Sequence, residues 1–407
     1  MRVEEIRKQF PALDEKVYGR PLVYFDNAAT SQRPQSVIDK WDDMSVHGNA
    51  NIHRAMHYLS SVATAEYESA RECVRKLINA DSVQEIVFAS GATAAINTVA
   101  FSFGEAFVGE GDEIVVAESE HHSDIVPWQM MCMRKKALLK VLHVDDDGRL
   151  KTEELDSLLT EKTKLLAVAH ISNVLGIVNP VREIVARCHE KGVAVLVDGA
   201  QGVVHKTVDV KELDCDFYVF SGHKIYAAPG TGVLYGKREL MEAMPPYSGG
   251  GEMVGTVSFS GTSYAPLPLK FEAGTPNFTG TATLVPAIGC LEAMRDGEIA
   301  AEQEKIKEYL YDNLQKNNKL HLYGKPRDFE DKIPLFSFSI DGVHHEDLAQ
   351  ILDKMGIAVR SGQMCAEPLM DRFGVTGMLR ASLAPYNTMQ EAEYFIESLD
   401  RAVKMLS

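Results

Sequence analysis

The sequence has no stretch approaching the roughly 20 apolar residues needed to cross a bilayer; its densest runs, Leu165–Ala169 and Val193–Val197, are strand-sized. It also lacks an excess of positive charge. Lys and Arg number 42 against 58 Asp and Glu, a net charge of −16, which disfavours nucleic-acid binding because phosphate contacts need clustered cations. The six cysteines (Cys73, Cys132, Cys188, Cys215, Cys290 and Cys365) form no CxxC pair and keep no regular spacing. That argues for reduced thiols and against a disulfide framework or a zinc site. Residues 1–10 mix acids and bases without the apolar core of a secretory signal, so a cytoplasmic location is expected. No internal repeat and no low-complexity tract is visible.

What is present is the composition of a globular protein, with 45% hydrophobic and 25% charged residues over 407 positions. At roughly 150 residues per domain this length suggests two domains with a sizeable core. From about Glu85 to Tyr235 short β-branched runs alternate with amphipathic stretches. The expected strands are Glu85–Phe88, Glu113–Val116, Leu138–Val144, Leu165–His170, Val193–Val197, Phe217–Phe220 and Gly232–Leu234. Several are apolar on both faces, so a mostly parallel, helix-covered α/β sheet is expected. Between Ser248 and Asn277 the texture turns to Gly, Ser, Thr and Pro, which reads as a hairpin. A charged, Leu-bearing stretch, Thr281–Asn317, reads as one linking helix. Beyond it Leu335–Ile340, His345–Met355, Met378–Leu383 and Met389–Leu406 alternate strand and helix patterns, suggesting a smaller α+β domain.

Five clusters carry possible chemistry. Ser221-Gly-His223-Lys224 follows an apolar strand, and a lysine there suits Schiff-base formation with a carbonyl cofactor, although a structural turn explains it equally. Asp198 ends the strand Val193–Val197, where open α/β sheets bind ligands; it can pair with a protonated ring nitrogen or simply cap a helix. Ser90-Gly-Ala-Thr93 before a helix can bind an anion through backbone N–H groups, or be ordinary capping. Glu120-His121-His122 can set an imidazole over an aromatic cofactor, or be solvated loop. Cys365 sits in a glycine-bearing loop between Arg360 and Arg380, which can lower a thiol pKa or hold a carboxylate. The other five cysteines read as small buried residues.

Together and in this order these clusters resemble the fold-type-I pyridoxal-phosphate enzymes of the class V aminotransferase family, and more narrowly the group II (SufS-type) cysteine desulfurases of the SUF iron–sulfur system. The resemblance runs along nearly the whole chain. It includes Asp26-Asn-Ala-Ala-Thr30, Asn51-Ile-His53-Arg54, Glu120-His121-His122, Ile125-Val-Pro-Trp128-Gln, His170-Ile-Ser-Asn173, Asp198-Gly-Ala-Gln201, Ser221-Gly-His223-Lys224, Gly249-Gly-Gly-Glu-Met253, Glu272-Ala-Gly-Thr275-Pro-Asn277 and Arg380-Ala-Ser-Leu-Ala-Pro-Tyr-Asn387.

The resemblance implies a large domain over 21–280 with a seven-stranded, mostly parallel sheet and a hairpin at 249–275. Residues 281–407 would form the linking helix and the small α+β domain, joined by segment 1–20. It implies pyridoxal 5'-phosphate on Lys224, with Asp198 at the ring nitrogen, Gln201 at the ring hydroxyl and His121 stacked on the ring. Thr93, Ser221 and His223 would hold the phosphate, with Thr275 reaching the other subunit of a homodimer. Arg380 and Asn173 would bind the substrate carboxylate, Asn173 also counting as a cofactor contact. Arg54 and Arg360 would be further active-site arginines. The implied reaction converts L-cysteine to L-alanine and leaves a persulfide on Cys365 for a SufE-type or SufU-type acceptor, Glu346 standing where relatives with a zinc-bearing acceptor tend to place a histidine. A selenocysteine lyase and an aminotransferase of the same fold are the alternatives. The chain departs from the group at Gln363-Met364, where a His pair is usual, at Ala92 and Ala94, and at Glu367, an added charge beside the thiol loop.

Overall fold

The computed structural model describes residues 2–295 and 297–406. The alternating runs form one seven-stranded sheet: β1 (Ile86–Ala89), β2 (Glu113–Ala117), β3 (Leu138–Leu142), β4 (Thr163–Ala169), β5 (Ala194–Asp198), β6 (Phe217–Ser221) and β7 (Gly232–Gly236). The lateral order is β1-β7-β6-β5-β4-β2-β3, and all neighbours are parallel except the two pairs made by β7. Because side chains alternate across a strand, Val195 and Val197 of β5 enter one apolar layer and Leu196 the other. The sheet is thus buried on both faces, which explains runs with no polar alternation.

Boundaries differ from expectation where local polar chemistry intervenes. Glu85 does not open β1; it closes a 3-10 turn, and its carboxylate accepts from the N–H groups of Asp81 and Ser82, both at 3.0 Å. The expected helix Thr281–Asn317 is instead Phe278–Ala282, Leu284–Met294 and α3 (Gly297–Gln315), named after α1 (Ala92–Phe107) and α2 (Val126–Lys135). Gly297 is left-handed, with φ +71°, a conformation glycine adopts without steric cost.

The hairpin is β8 (Val254–Ser258) with β9 (Gly261–Tyr264), exposed at every strand residue but the half-buried Val254. A second, antiparallel sheet combines β10 (Leu320–Tyr323), β11 (Leu335–Ile340), β12 (Arg360–Gly362) and β13 (Met378–Ser382) in the order β10-β11-β13-β12. Against it pack α3, through Ile306, Leu310 and Leu314, and the closing helix α5 (Met389–Leu406), through Phe395 and Leu399; α4 (Glu367–Phe373) follows the cysteine loop. The amino-terminal segment bridges the two cores. Ile6, Phe10 and Leu13 join the large one, while Arg7 pairs with Glu391 of α5 at 2.8 Å.

Four consecutive carbonyls of one turn join the sheets. Asn173 O accepts from an Arg380 NH group at 2.8 Å, Val174 O from the Ser337 hydroxyl at 2.5 Å, Leu175 O from Lys332 Nζ, and Gly176 O from the Ile333 N–H at 3.0 Å. The Phe10 ring lies 4.6 Å from that of Tyr386 and 5.7 Å from that of Tyr226. Phe10→Ala should therefore lower unfolding stability by about 3–5 kcal/mol, read as a reduced urea midpoint with an unchanged slope. An unchanged midpoint would contradict the bridging role.

Candidate active site

The carboxyl ends of β5 and β6 bring Asp198 and Ser221 to one edge of the sheet, and the turn Gly222–Lys224 sets the lysine beside them. This is the edge at which parallel α/β sheets bind ligands. The start of α1 comes equally close because Gly232 has no side chain: a Cβ there would lie 2.3 Å from Gly91 Cα. The Ala92 N–H donates to Ser221 Oγ at 2.8 Å, so the first turn of α1, with Thr93, faces the same cavity. Thr93 Oγ1 lies 2.7 Å from Ser123 Oγ. Gln201 Nε2 donates to Ala28 O at 3.0 Å, and His223 Nδ1 lies 3.2 Å from Thr30 Oγ1.

Burial dominates the electrostatics. It lowers the Lys224 amine from its ordinary value, opposed by the Asp198 carboxylate and reinforced by Arg380. It raises the Asp198 carboxyl, opposed by Lys224 and by the Ala200 N–H, which donates to Asp198 at 2.9 Å. A lysine moved toward neutrality next to an acid is suited to nucleophilic and basic work. His121 is pushed down to about 4, by burial first and then by Lys224, His122 and Arg380. Its Nδ1 accepts from the Ser123 N–H at 3.0 Å, so the neutral ring carries its proton on Nε2.

The second sheet closes the cavity. Arg380 on β13 is buried, with one NH group 3.2 Å from Asp26 and its Nε buried without a hydrogen-bond partner. Arg360 on β12 is exposed and lies 3.7 Å from the other Asp26 oxygen. Cys365 is exposed and lines the cavity opposite the sheet edge, while among the described cysteines Cys132, Cys188, Cys215 and Cys290 are buried and Cys73 half-buried. Asn173 also lines it, and its Nδ2 donates to Met364 O at 3.0 Å, so the side chain expected at the substrate carboxylate here holds the cysteine loop.

Arg54, expected as a further active-site arginine, and Thr275, expected to reach the other subunit, both sit at the hairpin. Arg54 and Thr275 do not line this cavity; Arg54 pairs with Glu252 at 3.3 Å and the Thr275 hydroxyl donates to Asn51 at 3.4 Å, at the base of the exposed hairpin. Asp26, which carries no assigned role in the sequence motif, orients both cavity arginines. The pairing with Arg380 joins positions 354 apart, so no local pattern signals it.

Residues 23–395 match the aminotransferase class-V family. The chain is a member of that family. It is 44% identical over 406 residues to a probable cysteine desulfurase of Vibrio cholerae, covering all of both chains. Its fold superposes on the cysteine desulfurase CsdA of Escherichia coli with TM-score 0.90 and 38% identity over all of both chains. On the apo cysteine desulfurase of Thermococcus onnurineus the TM-score is 0.93, at 36% identity, over 100% of this chain and 99% of that one. Enzymes of this family use pyridoxal phosphate. The donor set fits that group: an amine for its aldehyde, an acid for its ring nitrogen, and a helix start with hydroxyls for its phosphate.

The histidine shift has a defined sign. An unfolded histidine binds its proton near 6.5, whereas His121 does so at about 4. Between those values the unfolded chain holds the extra proton, so the contribution of neutral His121 is complete above pH 6.5 and is lost as pH falls toward 4. His121→Gln should make the fall of the urea midpoint over that window shallower than in the unsubstituted protein. Identical slopes would contradict the assignment.

Proposed function

We propose that this chain is a pyridoxal-phosphate-dependent cysteine desulfurase of the group II type, forming L-alanine and a persulfide on Cys365. The observation that carries the reading is that Lys224, on the turn after β6 of the large sheet, and Cys365, in the loop after β12 of the small one, line one cavity. Full-length similarity to cysteine desulfurases supports it.

Bound pyridoxal phosphate supplies the electron sink that makes the Cα proton of an amino acid removable. Lys224 would tether it, Asp198 would keep its ring nitrogen protonated, and Gln201, His121 and Asn173 would contact the ring. Ser221, Thr93 and His223 would hold the phosphate together with Thr275 of the partner subunit. Arg380, kept oriented by Asp26, binds the substrate carboxylate, with Asn173 and the exposed Arg360 at the same end. The neutral Lys224 amine takes the Cα proton. The Cys365 thiolate attacks the substrate sulfur: an S–S bond forms as the Cβ–S bond breaks, and the electron pair left on carbon is protonated to give alanine. The sulfur stays on Cys365 until an acceptor thiol takes it. Transfer to a SufE-type or SufU-type protein for iron–sulfur assembly, in a reducing cytoplasm, completes the reading and fits the unpaired cysteines.

A homodimer belongs to the same proposal. Met56, Tyr58, Val257 and Phe259 are exposed around Arg54 and the hairpin, Phe259 fully so, an apolar concentration typical of interfaces. Phe259→Asp should shift sedimentation toward the monomer and weaken cofactor retention; an unchanged dimer would contradict this.

Cys365→Ala should keep the bound-cofactor colour while alanine formation from L-cysteine collapses by at least about a hundredfold, as expected when a nucleophile is removed. Retained turnover would refute the nucleophile. Lys224→Ala should lose the cofactor on dialysis, and stable colour would refute the tether.

A further inference from the structure

The loop carrying the thiol has an unusual backbone. Met364 and Cys365 are consecutive non-glycine residues in the left-handed region, with φ +50° and +56°. L-residues disfavour that region because Cβ crowds the following carbonyl, and such a conformation persists only when its surroundings over-determine it. Glycine is absent from both positions, so outside contacts must hold the pose.

Those contacts converge on His122. Its backbone N–H donates to Cys365 O at 2.7 Å, and its ring Nε2 accepts from the Glu367 N–H at 3.1 Å. One residue therefore grips the loop twice, by its backbone at the carbonyl of the thiol-bearing residue and by its side chain at the start of α4. Asn173, in the turn beyond β4, adds a third hold at Met364 O. Within the loop only the Ala366 N–H to Gln363 O bond, 2.9 Å, and a 3.2 Å contact between Gln363 Nε2 and Glu367 help. His122 does not line the cavity, so its ring has no direct part in the chemistry; it acts through the loop.

We propose that His122 is a positioning residue: its neutral ring, as the Nδ1–H tautomer, latches the strained 364–365 backbone so that Cys365 Sγ stays at the cavity. This deepens the desulfurase reading and rests on Cys365 as the nucleophile. The neighbouring histidines would then divide the work, His121 facing the cavity and His122 the loop. An acceptor that draws the persulfide outward would have to break this latch, which is one neutral hydrogen bond and so of a strength that thermal opening overcomes.

The test uses the full-length holoenzyme. Glutamine can offer an amide oxygen near the position of Nε2, whereas leucine cannot. His122→Leu should speed amide hydrogen exchange in the peptide spanning 363–367 about fivefold to tenfold, the effect of one lost hydrogen bond, and lower kcat for L-cysteine by a similar factor with KM little changed. His122→Gln should restore both. Should the leucine variant not fold, His122→Asn, whose shorter side chain falls short of the Glu367 N–H, should reproduce its effects. Unchanged loop exchange in a folded leucine or asparagine variant overturns the latch, as does a loosened loop with unaltered kcat. Loop exchange is read without turnover, so it stands even if Cys365→Ala retains activity and the desulfurase reading fails.

Discussion

A lysine just past a strand of one sheet and a cysteine in a loop off another can share a substrate only if the two sheets are fixed relative to each other, and the turn 173–176 fixes them. Its four successive carbonyls all accept from the small-domain side. The least expected donor is Lys332, a buried ammonium with no carboxylate partner among the described residues; it donates to Leu175 O and, at 3.1 Å, to Gly324 O. Burial and the nearby Lys307 push its pKa down to about 7. Burying such a group is costly unless its protons are hydrogen-bonded, so Lys332 ties the turn strongly to its own surroundings. The same turn presents Asn173 to the cysteine loop and its carbonyl to Arg380, so domain register and site geometry are one constraint.

Within that frame the cavity works by opposed charges at low solvent access. Asp198 and Lys224 each soften the shift that burial imposes on the other. Arg380 is held between Asp26 and the Asn173 carbonyl, its planar group already oriented. Behind His121, Glu120 and Asp124 are both buried, and burial holds both carboxyls well above their usual range, reinforced at Glu120 first by the charge of Asp124 and at Asp124 by that of Asp198. Glu120 accepts from the Ala169 N–H, and Asp124 from the Trp128 indole, each at 2.8 Å, which fixes the backbone that leads into the two histidines.

Much of this could be read from residue order. Strands apolar on both faces announced a covered parallel sheet, and the positions of Asp198 and Ser221 at strand ends announced the binding edge, because in such sheets side-chain chemistry collects where the strands stop. Two kinds of feature were hidden. Long-range pairings left no local trace: nothing near Asp26 points to Arg380, and nothing near Lys332 points to Leu175. Local backbone exceptions were also silent. Left-handed residues are expected at glycine, so Met364 and Cys365 gave no warning of a strained loop, and the break of the long helix before Gly297 was masked by helix-favouring Glu, Ala and Leu on both sides. Asn173 lines the cavity and also donates its amide to Met364 O, a hold that no local sequence pattern announces because it requires the folded loop to exist.

The central claim is that sulfur taken from L-cysteine comes to rest on the thiol of Cys365 and nowhere else. Mass analysis of peptides from the holoenzyme, quenched shortly after mixing with L-cysteine without an acceptor, tests it directly. The account predicts one additional sulfur atom on the peptide containing Cys365 and none on those containing Cys73, Cys132, Cys188, Cys215 or Cys290. Alanine release with no added sulfur on that peptide, or with the sulfur on another cysteine, would contradict it.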